Sequence, residues 1–226
     1  MLLAISLVTL GCGCGDGEGP YGQAGGSGGG AGAAGGSGGT GGSGSGPRDL
    51  EVQPFLYRPP EQPVEVLQAG DALSLWHAPQ GGHVVVVGAR VRGLTSDFIE
   101  LRARVRVPET RVIVAEEART VVMEAVAGEP DWKQTDRRTC SQASHVPLCP
   151  NYSDRDVVAR EHVLEVIVTE LYADFSVGQS EITVTPSCLQ SDPIAQAFCV
   201  CECSADYTLG KCSRPPLDGG VPTCPE

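Results

Sequence analysis

Hydrophobic and polar positions alternate most regularly over residues 79–107, PQGGHVVVVGARVRGLTSDFIELRARVRV. Ile99, Leu101, Ala103, Val105 and Val107 take one side of a period-two pattern. Glu100, Arg102, Arg104 and Arg106 take the other, as expected of a strand with one face on a core and one in water. The unbroken apolar run over residues 84–87 predicts a strand covered on both faces. Gly93 and Thr95-Ser96-Asp97 supply turn chemistry between the two, so the stretch reads as a hairpin of long strands.

The same patterning predicts an edge strand over residues 52–57, limited by Pro54, and short strands at 64–67 and 72–76. Further strands are expected at 111–115, 118–126, 162–171 and 180–185, with Val121, Met123 and Ala125 sharing a face. No segment carries a convincing helical period. Eight or nine strands with turns at short intervals predict an all-β fold, an antiparallel immunoglobulin-like β-sandwich over residues 50–186. The Cys…Trp…Cys signature of immunoglobulin domains is missing, so the comparison concerns architecture alone. Residues 128–160 form a long stretch without period, expected to be either functional or tied down.

Composition divides the rest of the chain. Of 226 residues, 30 are Gly, and most of these precede residue 47. Residues 15–49 are dominated by Gly, Ser and Ala, which cannot bury enough area to offset ordering entropy. This segment is expected to be a disordered tether with a span of roughly 30 Å. Before it, residues 1–14 begin with an apolar run too short to span a bilayer but suited to a signal peptide. The pair Gly11-Cys12 that ends this run resembles the lipobox of bacterial lipoproteins, although Thr9 and Leu10 depart from the usual residues. The resemblance implies acylation of Cys12, with Cys14 as a second candidate. It also implies a membrane partner through the lipid anchor, and a place in the cell envelope, at the outer membrane or surface of a Gram-negative bacterium. A Gly/Ser tether behind the acylated Cys is a further likeness to that family.

A net charge of −12 argues against binding a phosphate backbone, which requires clustered cations, so no nucleic-acid partner is expected. The local stripe of Arg102, Arg104 and Arg106 is expected to pair with acidic residues of neighbouring strands.

Ten cysteines, without the spacing of a metal ribbon, point to an oxidising compartment and structural disulfides. Cys140, Cys149, Cys188, Cys199, Cys201, Cys203, Cys212 and Cys224 lie beyond the tether. Cys140 and Cys149 share one polar stretch with Pro147 between them and are expected to pair. Cys199, Cys201 and Cys203, read as an extended run, would point to one face, so each is expected to pair outside the run. Cys188, Cys212 and Cys224 remain as partners, in six connectivities. Residues 187–226 thus read as a disulfide-rich C-terminal appendage. Within it Cys201, Cys203, Tyr207 and Cys212 resemble the second half of an epidermal-growth-factor-like module, with Asp206 where that family has Gly. The resemblance implies a Cys203–Cys212 bridge.

Candidate chemistry is sparse. His77 and His83 flank a turn and could share a metal only with a third ligand. Asn151, Asp154 and Asp156 cluster oxygen donors that calcium accepts in extracellular modules, or that serve turns. Trp132, between Asp131 and Lys133, is a candidate partner contact, or else folds back onto the domain. No catalytic residue, metal ligand or cofactor is assigned. The expected function is that of a non-enzymatic lipoprotein acting as a binding or structural module, with a protein or glycan ligand. The alternative is a secreted hydrolase or metal-dependent enzyme with its site in residues 128–160, where His145 and Asp154 lie.

Overall fold

The computed structural model describes residues 48–57, 66–137, 140–173 and 175–212. The expected signal-peptide and tether segments, the start of the expected 64–67 strand, Cys12, Cys14 and Cys224 lie outside the described residues. The described chain is mostly strand: β1 (Glu51–Leu56), β2 (Ala72–Ser74), β3 (Trp76–His77), β4 (His83–Arg92), β5 (Phe98–Arg106), β6 (Ile113–Val126), β7 (Glu129–Thr135), β8 (Ser144–Cys149), β9 (His162–Glu170) and β10 (Val177–Ser187). A short 3-10 turn at Cys140–Gln142 and a helix, α1 (Pro193–Glu202), complete it.

The strands form one sheet in the order β1-β4-β7-β6-β5-β9-β10-β2, with β3 and β8 also pairing β4. Pairing is antiparallel except between β10 and β2. The long β6 carries the sheet round: residues 113–122 lie beside β5, and residues 123–126 pair with β7. The far edges approach each other where Leu50 N donates to Val177 O, so the sheet curls nearly into a barrel. Glycine permits this closure, because a Cβ on Gly178 would lie 2.6 Å from Leu50 O.

The strand limits of β4 and β5 follow the alternation closely, but their pairing does not follow the hairpin expectation. β7 and β6 lie between them. The 93–97 connection arches across the core, and each strand joins a different wall. Val85, Val87, Ala89 and Val91 of β4 share one core with Ile99, Leu101, Ala103 and Val105 of β5, all fully buried. Each Val, Ile or Leu among them contributes roughly 1.5–3 kcal/mol. Val86 enters a second cluster with Phe55, Tyr57 and Trp76, so β4 is covered on both faces, as its apolar run requires. Gly88 lies opposite Phe55, where a Cβ would come within 2.4 Å of the ring. Val121 and Met123 are buried, whereas Ala125 is exposed beyond the end of the core.

The arginine stripe is paired as expected. Arg102 bonds Glu116 at 2.8 Å, Arg104 reaches Glu116 and Glu165, and Arg106 bonds Glu165 at 2.7 Å. Burial works to raise the Glu165 carboxyl, but the Arg106 and Arg104 guanidiniums outweigh it and hold it below the usual carboxylate range.

Three expectations for residues beyond 128 are corrected. The 128–160 stretch is not one irregular loop, because it contains β7 and β8. The 187–226 segment contains a helix, α1. Asp192 caps it, accepting from Ile194 N and Ala195 N, and Pro193 opens it, a sequence signal for a helix start. Helical spacing also rewrites the disulfides, because Cys199 and Cys203 stand four residues apart on one face while Cys201 faces away. The bridges are Cys149–Cys203, Cys188–Cys199 and Cys201–Cys212. Each cysteine of the run does pair outside it. The expected Cys140–Cys149 ring and the Cys203–Cys212 bridge do not form. Cys149 ends β8 facing the helix C-cap, and Cys140 is disulfide-bonded elsewhere. The helix buries Phe198, Cys199 and Glu202, and its C-cap Cys203 is buried as well.

Candidate functional site

β5 ends at Arg106 and turns back into β6 through residues 107–112, closed by Arg111 N donating to Val107 O and Val107 N donating to Val112 O, both at 2.9 Å. Opposite this turn, the chain leaving β8 forms a loop over residues 150–161 that is stitched to the end of α1. Asn151 N donates to Glu202 O at 2.8 Å, Val157 N to Cys203 O at 3.1 Å, and Ala205 N to Asp156 Oδ1 at 2.9 Å. The Cys149–Cys203 bridge fastens the same junction.

Between the turn and the loop lies a cavity of about 790 Å³. Val107, Val112, Ile113, Leu148 and Val157 give it aliphatic walls, and Tyr152 and Arg155 stand among its polar lining. Its size and lining match those of small-ligand sites, which are mostly apolar with a few placed polar groups. Arg155 spans the two sides, bonding Glu109 of the turn at 3.0 Å. His162 lines the cavity at the start of β9 and is buried. Burial, with Arg155 nearby, holds its imidazole below the usual histidine range. Its Nδ1 lies 2.9 Å from Arg160 O, and a carbonyl only accepts, so Nδ1 carries the proton and Nε2 is an acceptor.

Of the oxygen donors considered for calcium, Asn151 and Asp154 line this cavity and Asp156 does not; they are largely in use. Asn151 Oδ1 accepts from Ser153 N and Oγ, forming an Asx turn, and Asp156 caps Ala205 N. Asp154 is exposed. His145 is not at the cavity. It sits on β8, where Nε2 donates to Cys140 O at 2.8 Å, and burial lowers its pKa.

Trp132 lies on β7, half-buried, and not on a loop. The guanidiniums of Arg90 and Arg92 stack over its ring at 4.8 and 5.4 Å. His77 and His83 are cross-strand neighbours with ring centroids 5.3 Å apart. The buried His83 bonds Glu202 through Nδ1 at 2.9 Å. Among the described residues, a metal-type grouping is found at His83, Cys199 and Cys203, whose ligand atoms lie within 4.8 Å of one another. Both sulfurs are committed to disulfides, so this oxidised form offers no thiolate there.

The sequence does not show the cavity as a unit. Val107 and the 151–156 oxygens were visible in the sequence, but only the fold brings the 107–112 turn against the 150–161 loop, across a gap in sequence that no local pattern spans. No protein-family model and no curated protein matches the chain.

Proposed function

We propose that the chain is an envelope lipoprotein whose β-domain is a non-enzymatic binding module, with the cavity behind the 107–112 turn as its ligand site. The observation that carries this is the cavity itself: aliphatic walls set on strand ends, with few polar groups to orient a guest. The expected ligand is compact and largely apolar, or the apolar part of a protein or glycan. The two walls that face each other across one core favour an immunoglobulin-like sandwich as the finer architecture, while the pairing of β6 with both β5 and β7 joins those walls into one curled sheet. The hydrolase or metal-enzyme alternative draws less support. Among the described residues, the hydrogen bonds given for His83 Nδ1, His145 Nε2 and His162 Nδ1 go to Glu202, Cys140 O and Arg160 O, and none involves a serine or cysteine side chain.

N-phenyl-1-naphthylamine, a neutral fluorophore, should bind saturably to the purified protein. Ile113 lines the cavity yet is 44% exposed, so Ile113→Arg should leave folding intact. It should weaken the probe about tenfold, the equivalent of about 1.4 kcal/mol. Absence of saturable binding, or binding indifferent to this change, refutes the site. Turnover of ester, peptide or glycoside substrates that vanishes with His145→Ala or Asp154→Ala would establish the enzyme reading instead.

For the anchor, Cys12→Ser should move the protein from the membrane fraction to the soluble fraction. A wild-type protein found wholly soluble rules the anchor out.

A further inference from the structure

At the opposite ends of β5 and β9 from the cavity, the domain presents an aromatic tip. The β9–β10 connection, residues 171–176, exposes Tyr172 at 82% and Phe175 at 65%. Phe98 packs its ring edge-on to Tyr172 at 5.8 Å, and Val122 lies beside Phe98 across the strand pair. Phe98 and Val122 are both more than 40% exposed. Solvated side chains normally avoid such an apolar grouping, which marks a protein or membrane contact.

The backbone adds a second sign. Tyr172 and Phe175 have φ of +59° and +52°, a region that bulky residues rarely adopt and that polar turn residues or glycine would occupy without strain. Strain of this kind persists where the surrounding structure enforces it, often at functional surfaces. The charges packed beneath the tip are paired, Arg48 with Glu170 and Lys133 with Asp97.

The chain itself names the occupant. Arg48 N donates to Ser176 Oγ at 3.1 Å, and Asp49 bridges Val177. The Gly/Ser-rich segment, which leads back toward Cys12, therefore joins the domain beside the aromatic loop. We infer that the tip formed by Phe98, Tyr172 and Phe175 rests in the interfacial layer of the lipid bilayer that holds the anchor. This inference rests on the lipoprotein reading. A phenol and two phenyl rings suit an interface with one apolar and one wet side. A second, weak membrane contact adds to an acyl anchor. Placed this way, the tether need not hold the domain at its full span of roughly 30 Å, and the cavity faces away from the membrane. The net charge of −12 favours zwitterionic over anionic lipid.

The test uses the full-length acylated chain in phosphatidylcholine vesicles, with and without bromine in the acyl chains. Phe175→Trp is placed in a Trp132→Phe background, because Trp132 lies beside Arg92 at the same end and Trp76 is buried. Brominated lipid should quench the added indole about twofold or more, with the Trp132→Phe parent little changed. Tyr172→Trp gives the same reading independently should Phe175→Trp fold poorly. Vesicle-bound protein with no extra quenching in either variant overturns the inference and leaves the anchor standing. Protein that does not associate with vesicles at all refutes the lipoprotein reading, and this inference with it.

Discussion

Replacing Cys149 and Cys203 together by alanine should lower the unfolding free energy by about 4 kcal/mol, the loop-closure value for a bridge spanning 54 residues. The bridge joins the end of β8 to the C-cap of α1, and both sulfur-bearing residues are buried. A ten-residue helix is marginal by itself in water. α1 therefore depends on this bridge, on Cys188–Cys199, and on the hydrogen bonds that Asn151 and Val157 send to its last residues. The double substitution avoids leaving a lone thiol next to Cys199, where exchange would scramble the result. Removing Cys201–Cys212, with a separation of 11, should cost about 3 kcal/mol by the same relation. Urea unfolding followed by circular dichroism gives both values. Equal losses for the two pairs, or a loss under about 1 kcal/mol for the first, would contradict this account. Because Cys149 and Asn151 line the cavity, the first variant should also bind the naphthylamine probe more weakly.

How legible the fold was depended on what each signal measures. Alternation in residues 99–105 reported a face correctly, because a period of two follows from strand geometry. It carries no information about which strand lies alongside. The β4–β5 pair therefore read as a hairpin, although five residues, 93–97, suffice to arch from one wall to the other. β7 gives no strand signal because EPDWKQT does not alternate: three exposed residues are followed by three half-buried ones, and only Thr135 is buried. The α1 start is written in Asp192-Pro193, but three cysteines spaced by two imitate a strand. Trp132 is a subtler case. Its neighbours in sequence are charged, while the groups that matter, Arg90 and Arg92, come from β4. The cavity depends on the same long-range register, which single-sequence patterning does not contain.

The two ends of the domain differ in chemistry in a way that supports one orientation. The tether joins beside Tyr172 and Phe175, while the cavity opens at the other ends of β5 and β9. Under the proposed lipid anchoring, a ligand of the proposed site would enter on the side away from the bilayer, and the 107–112 turn and the 150–161 loop would meet it first. Arg155 and Glu109 bridge these two segments, so a guest that separates them must break an exposed ion pair, which is a small cost.

The aromatic tip is held from below by one buried carboxylate, and removing it should have the second large effect. Glu170, at the end of β9, is fully buried. Its Oε1 accepts from Thr95 N, from Ser96 N at 2.6 Å, and from Thr95 Oγ1 at 2.7 Å. These bonds tie the 93–97 arch to the β9 end, and Ser96 Oγ in turn accepts from Phe98 N at 3.0 Å. Glu170→Ala strands two main-chain N–H groups and should cost about 3 kcal/mol, at roughly 1–3 kcal/mol for each unpaired donor. Burial works to raise the carboxyl, but the Ser96 and Thr95 donors, with Arg48, outweigh it and hold it below the usual carboxylate range. A depressed folded value means that the charge-dependent stabilisation is complete above the unfolded pKa, about 4.3 for Glu, and is lost as pH falls through the folded value. Wild type and Glu170→Ala should therefore differ most at neutral pH and converge on acidification. Glu170→Gln, which keeps an acceptor oxygen, should fall between them at neutral pH. Denaturant titrations at neutral pH and below about pH 4 test this. A gap between wild type and Glu170→Ala that does not narrow in acid would show that the carboxylate's charge contributes nothing to holding the arch.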